Sequence, residues 1–406
     1  MSSDLPFAGG LPARVLTMLC LCAGLGGCEY IATRQRAAAI RTAQAPLPAM
    51  LATLSLATPR TGERGELEPA TELLVTEHGI WVDNTALVAR WWRGELGRSP
   101  ELFEQLPIEA WLRPLQQAVR LERGMIPEQA LRDGAAGFLV TPLFDLLSEH
   151  VEQEKHYGSY VHDHRFEGRV NIYFTAEVPF ATVARVIYTA ANAEYSHFVF
   201  ALGRPGDYAT VELRPPLAGC PPPPAQQPEQ RCVEPHVQVL ASGLLVIAEA
   251  GFAGGGRRLL SLSHLRDNPA LKGALLEAFG EPEAPSDVVG TASPTTTHQP
   301  GPAPPAWASK VLVRAGQRCP SLRRQGARLD WAAFTALIAQ LHQLAPTCAR
   351  AVVGAEDAIP WREVATVMEA LQRQAGFSEL QLSPALGEGG ETDTCAQRFL
   401  LPAAAL

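Results

Sequence analysis

The chain has 406 residues, of which 47% are hydrophobic, and its formal net charge is −8. This length suggests about two to three domains. The 34 prolines and 34 glycines indicate that part of the chain is linker rather than core. An acidic chain repels phosphate backbones, and its longest basic clusters are pairs of arginines, so nucleic-acid binding is not expected.

The N-terminus has the pattern of an exported lipoprotein. Arg14 precedes the apolar run VLTMLCLCAGLGG, which is too short to span a bilayer and ends at Cys28. The small residues before this cysteine suit lipoprotein signal peptidase, so we expect residues 1–27 to be a signal peptide and Cys28 to be lipidated. An ordinary signal peptide with a fortuitous cysteine is the alternative. Glu29 is not the aspartate that retains similar lipoproteins at the inner membrane, so a periplasmic protein anchored to the outer membrane is favoured.

Five cysteines follow the predicted lipidation site. Cys220 and Cys232 enclose the loop PPPPAQQPEQR, and in an oxidising compartment they are the simplest disulfide candidates. Such a bridge would stabilise the fold by about 3 kcal/mol through lost entropy of the unfolded chain. The pairing of Cys319, Cys348 and Cys395 stays open. No Cys-x-x-Cys follows Cys28, which argues against a zinc site.

Changes in composition divide the chain into segments. The predicted segments are a signal peptide at 1–27, a flexible tether at 28–70, a first domain at 71–215 with a helical insertion, a Pro-rich linker at 216–234 and a second domain at 235–401 with a disordered insertion at 281–306.

The two predicted domains repeat each other. Each contains Ala-Glu and then a branched residue, a proline and an aromatic residue: Val178-Pro179-Phe180 and Ile359-Pro360-Trp361. Because the first copy reads AEVPF and the second AEDAIPW, two residues are expected to be missing from the first turn. Apolar residues then recur at one helical face in both copies, and a proline suits the first turn of a helix.

The order of elements is β-β-α-β-α-β in each copy. Hairpins are predicted at 72–82 and 236–247, helices at 106–121, 128–151 and 330–345, and later strands at 170–174, 195–200, 208–215, 350–354, 377–382 and 396–401. The fold class is therefore α+β, with two tandem small mixed β-sheets, helices on one face of each, and Pro-rich linkers between them.

These motifs resemble the periplasmic domain of the ExbD/TolR family. The resemblance rests on HGIWVDN (78–84) in the first copy, and on EDAIPWREVATVMEAL and AGFSELQL in the second, within about 200 residues in all. It implies a non-enzymatic envelope protein without a cofactor, with a role in biopolymer transport or an envelope stator system. The implied contacts are self-association, peptidoglycan or another envelope protein.

The chain departs from this family in one respect that matters. Family members have a transmembrane helix with an aspartate that takes part in proton-driven work, and this chain has no second apolar run near 20 residues. The proton-coupling role is therefore not implied, and an accessory or docking role is. Pairing through the edge of the strand that contains Val199 is one expected route to self-association.

A metal-binding protein or hydrolase is the alternative function. Four histidines, His150, His156, His162 and His164, lie in SEHVEQEKHYGSYVHDHRFEG, although their spacing fits no known ligand pattern. Trp81, Trp91, Trp92, Trp331 and Trp361 are candidates for either interface or core. Glu356-Asp357 precedes a helix, where the helix dipole favours acids, so a structural role is favoured over acid–base catalysis.

Overall fold

The computed structural model describes residues 25–59, 67–93, 111–134, 137–158, 166–204, 206–213, 232–251, 257–261, 322–324, 329–344 and 349–382. Within them the chain forms two separate sheets and several helices, as an α+β fold requires.

The first sheet has six strands in the spatial order β3-β2-β1-β4-β5-β6. The strands are β1 (Thr71–Val75), β2 (Gly79–Asp83), β3 (Gln116–Arg120), β4 (Arg169–Phe174), β5 (His197–Arg204) and β6 (Asp207–Leu213). The hairpin β1-β2 is antiparallel, whereas β4 is parallel to both β1 and β5.

The second sheet runs in the order β10-β8-β7-β11-β12, and β9 also pairs with β8. Its strands are β7 (Cys232–Leu240), β8 (Gly243–Gly251), β9 (Arg257–Ser261), β10 (Leu322–Arg323), β11 (Arg350–Ala355) and β12 (Glu379–Leu382). As in the first sheet, an antiparallel hairpin is followed by two parallel pairs.

The described helices contribute side chains to three apolar clusters. These helices are α1 (Leu25–Gln44), α2 (Pro46–Leu51), α3 (Thr85–Arg93), α4 (Thr141–Gly158), α5 (Phe180–Asn192), α6 (Trp331–Leu344) and α7 (Trp361–Glu369), which continues as a π-helix over Ala370–Gln374. Side chains from α4 to α7 share one apolar core with both sheets. Helices α1 to α3 form two smaller apolar clusters, one of which covers the other face of the first sheet. That sheet is thus covered on both faces, not on one as expected. No helix in the described part of the chain is long and apolar enough to span a bilayer.

The order β2-β1-β4-β5 in the first sheet matches β8-β7-β11-β12 in the second, so the repeat seen in the sequence is a repeat of topology. Backbone bonds fix the register between the copies. Thr175 N donates to Val75 O (3.0 Å), and Glu356 N donates to Val239 O (3.0 Å). Thr175 therefore corresponds to Glu356, and each is followed by three residues before its proline. The expectation that two residues are missing from the first turn is wrong, because it aligned the two Ala-Glu pairs instead of the strand ends.

The structure also corrects the predicted tether at 28–70. Helices α1 and α2 occupy much of this segment, and Ile40, Leu47 and Leu51 are buried. The composition suggested a linker because the apolar residues follow no sustained period. They are nevertheless enough to dock the segment on the first domain.

The predicted helical insertion differs from the structure as well. Within the predicted helix at 106–121, residues 116–120 form strand β3, which extends the first sheet beyond its hairpin. In place of a helix over 128–151, a short 3₁₀ turn is followed by α4, which begins at Thr141. Strand β7 begins at Cys232, inside the predicted linker 216–234.

The other predicted elements are present within one to four residues of their expected ends. These are both hairpins, the helices after Pro179 and Pro360, the helix at 330–345 and the strands that flank them. The predicted strand at 396–401 and the insertion at 281–306 lie outside the described residues.

Candidate functional site: the junction between the two repeats

The junction is built where the chain enters α5 in the first repeat and α7 in the second. Pro179 and Pro360 are the N-cap residues of these helices, with extended backbones at φ −65°, ψ 144° and φ −69°, ψ 143°. An N-cap serine or aspartate normally accepts hydrogen bonds from the first N–H groups of a helix. Proline has no side-chain acceptor, so these N–H groups need another partner.

Each helix finds that partner in the other repeat. The first two N–H groups of each helix donate to carbonyls in the turn that precedes the other helix. The four bonds are Phe180 N to Ile359 O (2.8 Å), Ala181 N to Asp357 O (3.1 Å), Trp361 N to Val178 O (2.8 Å) and Arg362 N to Ala176 O (3.0 Å). Pro179 and Pro360 face each other as an antiparallel bridge. Because equivalent atoms exchange roles, the bonds follow a pseudo-twofold axis between the prolines.

Aromatic packing reinforces this backbone contact. Trp361 of the second repeat is 1% exposed, and its ring centroid lies 4.9 Å from that of Phe174 and 5.1 Å from that of Phe200 in the first repeat. Phe180, its counterpart, is equally buried. The two repeats therefore share one core. At the surface, Arg362 pairs with Glu177 across the junction, a half-exposed ion pair of little energetic weight.

A second contact covers the outer edge of β6. Glu212 N donates to Oε1 of Gln372 (3.3 Å), and Nη2 of Arg373 donates to Thr210 O (3.2 Å). Side chains of the π-helix thus bond to edge groups that a neighbouring strand would otherwise pair. The strand of Val199, expected as an edge for self-association, is β5. It lies between β4 and β6, so that expectation is wrong.

The arrangement is a pairing surface between two like domains. The two branched–Pro–aromatic motifs of the sequence mark the residues of this surface, but by themselves they predict only the starts of helices. The available signal was proline at an N-cap with no Ser, Thr, Asp or Asn to accept from the helix.

The structure says little about the predicted lipidation and disulfide sites. Cys28 lies within the first turn of α1, and Cys232 is the first residue of β7, but their side chains are not among those described. Cys220 lies outside the described residues. Lipidation and the Cys220–Cys232 bridge therefore stay predictions.

The described part of the histidine cluster has the geometry of a helix and its core. His150 and His156 are both on α4, six residues and roughly 240° apart around its axis. His156 stacks on Trp111, with ring centroids 5.4 Å apart, whereas His150 is 2% exposed and neither ring nitrogen has a hydrogen-bond partner. His162 and His164 lie outside the described residues. Among the described residues, no three His, Cys, Asp or Glu side chains lie together so that they could hold a metal ion.

Burial controls the protonation of His150. It lowers the pKa of this imidazole from 6.5 to about 4; the negative charge of Glu149 opposes the shift and the positive charge of Arg113 adds to it. A neutral imidazole suits the apolar side of α4, where Leu147 and Val151 are also buried.

The remaining candidates have structural surroundings. Trp91 and Trp361 are core residues, and Trp91 stacks on Tyr157 with centroids 4.2 Å apart. Trp81, Trp92 and Trp331 are only partly buried. Oε2 of Glu356 accepts a hydrogen bond from Ala241 N (2.7 Å), which ties the turn before α7 to the hairpin β7-β8.

No protein-family model matches the chain, and no curated protein is significantly similar to it in sequence. The resemblance described above therefore rests on its motifs alone.

The burial of Trp361 at the junction predicts that this side chain contributes strongly to the free energy of unfolding. Replacing Trp361 with alanine should lower the free energy of unfolding by about 3–5 kcal/mol, because it leaves a cavity between the repeats. Chemical denaturation followed by circular dichroism measures this loss. Trp331→Ala is the matched control, because Trp331 is partly exposed and should cost clearly less. Equal losses in the two variants would contradict a shared core centred on Trp361.

The lowered pKa of His150 predicts that the free energy of unfolding falls in acid. Its pKa is lower in the folded chain than in the unfolded one, so between pH 6.5 and pH 4 the unfolded chain binds more protons. The stability that neutral His150 contributes is present above pH 6.5 and is lost as the pH falls towards 4. His150→Leu should therefore flatten the acid side of the stability profile, measured by urea unfolding at several pH values. The control His78→Leu, at an exposed site, should leave the slope unchanged.

Proposed function

We propose that this chain is a non-enzymatic envelope lipoprotein in which two ExbD/TolR-like domains are paired in advance. It serves as an accessory or docking component of an envelope transport or stator system, and it has no proton-coupling helix of its own. The observation that carries this proposal is the reciprocal junction. A surface through which two like domains associate is occupied within one chain.

The repeated topology supports the proposal in a second way. Both halves keep the order of hairpin, helix, strand, helix and strand on which the resemblance rests. The first half adds strands β3 and β6. In this proposal, the association of like domains that was expected between chains takes place within one chain. Surfaces outside the junction can then bind other partners.

A pair of exposed aromatic side chains offers such a surface. Phe138 is 44% exposed and Tyr188, on the outer side of α5, is 48% exposed, with ring centroids 5.8 Å apart. Arg185, one turn before Tyr188, bonds to Gly137 O and holds the Phe138 loop against the helix. Aromatic residues are frequent anchors of protein interfaces. We assign the docking role to this surface.

Pairing within the chain predicts that its halves hold together without a covalent link. A protease site inserted between Ala218 and Gly219 would cut the chain before Cys220, so that a Cys220–Cys232 bridge cannot join the fragments. After cleavage the fragments should co-elute in size-exclusion chromatography, because they share the junction and a core.

Trp361→Ala should weaken this association measurably, whereas Trp331→Ala should not. Complete separation of the wild-type fragments upon cleavage would contradict an intramolecular pair.

Docking is tested in the native envelope. A photo-crosslinking amino acid at Tyr188 should form an adduct with an envelope protein, which mass spectrometry of the purified adduct identifies. The same group at Glu152, a 73% exposed side chain on α4, is the control and should not.

Cys28→Ser should abolish lipidation and the adduct together. Stator-like membrane proteins in the adduct would support the proposed system, and peptidoglycan fragments as the sole recovered material would replace it with a wall-anchoring role. Adducts of equal yield from both positions would reject the docking surface.

A further inference from the structure

A pair of carboxyl groups lies on the face of the first sheet that is turned away from the shared core. Glu72 of β1 is directly opposite Asp83 of β2, so both side chains project from the same face. Asp83 is completely buried, and Glu72 is partly buried. Oη of Tyr173, on the next strand, donates to Oε1 of Glu72 (2.9 Å). The pair is independent of the junction and of the proposed docking surface.

The two oxygens of Asp83 differ in their hydrogen bonding. Oδ1 of Asp83 accepts from the backbone N of Thr85 (2.7 Å) and from its hydroxyl (2.5 Å), at the start of α3. Oδ2 of Asp83 is buried without a hydrogen bond of normal geometry, although the backbone N–H of Leu115 also acts on this carboxyl group. Glu72 lies directly across the strands from this carboxyl group, and the charge of Asp83 acts on it.

Among the described residues, the cations on neighbouring elements bond to other groups. Arg169 on β4 pairs with Glu68, Arg90 on α3 bonds to Pro69 O, and Tyr208 on β6 packs on Tyr173. The segment 45–58 above the face reads APLPAMLATLSLAT and contains no ionisable side chain. Two ionised carboxylates without a cation are costly in such a place, so one proton is retained.

The protonation states follow from this environment. Burial and the charge of Asp83 raise the pKa of Glu72 from 4.5 to about 8, although the hydrogen bond from Tyr173 opposes the shift. Burial also raises the pKa of Asp83, against the hydrogen bonds from Thr85 and from the backbone of Leu115. The pair thus binds a proton in the folded chain at pH values where the unfolded chain has released it.

The face is covered by the segment that leads from the predicted anchor. Leu47, Leu51 and Leu56 pack on side chains of the sheet that include Leu74 and Tyr173. Few backbone bonds hold this cover down: Ala176 N donates to Ser55 O (2.9 Å), Gly203 N donates to Ala57 O (2.8 Å), and Leu56 forms an isolated bridge with Thr175. The contact is small enough to open without unfolding the sheet.

We propose that Glu72 and Asp83 form a proton-controlled latch for the covering segment Pro46–Ala57. While one carboxyl retains its proton, the segment stays on the sheet. When the proton leaves to water, the two negative charges favour the open, hydrated face and the segment is released. If Cys28 is lipidated as proposed above, release lengthens the connection between the membrane and the first sheet.

The direction of the pH effect follows from linkage. The closed form keeps the proton up to about pH 8, and the open form releases it near pH 4.5. The fraction of open molecules is therefore lowest and constant below pH 4.5, rises by up to about tenfold per pH unit above it, and levels off at about pH 8.

Hydrogen–deuterium exchange on the full chain tests the latch. Protection of amides 49–56, corrected for intrinsic exchange, should fall by up to about tenfold per pH unit between pH 5 and pH 8. Glu72→Gln keeps the side chain neutral and should leave protection independent of pH. Amides 351–355 in β11 should keep their protection in both proteins, which separates local opening from global unfolding.

Glu122→Gln, an exposed substitution far from the pair, is the matched control and should retain the wild-type slope. If Glu72→Gln fails to fold, Asp83→Asn removes the charge that adds to burial in raising the pKa of Glu72, retains an acceptor for Thr85 and should give a smaller slope than the wild type. A wild-type profile that is flat, or a slope in Glu72→Gln or Asp83→Asn as steep as that of the wild type, would overturn the proposal.

Discussion

Every helix begins with N–H groups that its own backbone cannot satisfy, and here two helices solve this problem for each other. The first N–H groups of α5 and α7 donate to carbonyls of the opposite repeat, around facing prolines that supply extended geometry but no acceptor. Neither helix start is complete without the other repeat. The position of the sheets, the burial of Trp361 and the cover over the edge of β6 all depend on this exchange of hydrogen bonds.

The backbone exchange is symmetric, whereas the side chains around it are not. In the register of the two sheets, Phe174 and Phe200 correspond to Ala355 and Leu382. The larger ring, that of Trp361 in the second repeat, packs against Phe174 and Phe200 of the first repeat. Its counterpart in the first repeat, Phe180, has the smaller ring. Tyr173 corresponds to Gly354, where a Cβ atom would lie 2.4 Å from Nε2 of Gln238. Because main-chain hydrogen bonds hold the two repeats together, equivalent side chains of the two repeats can differ in size within the shared core.

Much of the fold could be predicted from the sequence, because hairpins and amphipathic helices leave local periodic signals. The helices after Pro179 and Pro360 and the helix α6 lie close to where periodicity predicts them. Strand β3 and the docked segment α1–α2 were missed, since their residues gain order from contacts distant in sequence. The junction was half predicted: its motifs are visible, but hydrogen bonds between repeats have no local signature. The carboxyl pair was missed for the same reason, as Glu72 and Asp83 become neighbours only when β1 meets β2.

Placing both repeats in one chain changes how their association responds to abundance. Two separate domains pair in proportion to their concentrations, so a scarce protein spread over a membrane would be mostly unpaired. Joining two domains in one chain through a short connection holds one near the other at an effective concentration of the order of millimolar. Pairing then becomes a unimolecular step that dilution does not reverse. A single molecule of this chain would contain both paired domains at any protein concentration. The ratio of the two domains would always be one to one, because one gene encodes both.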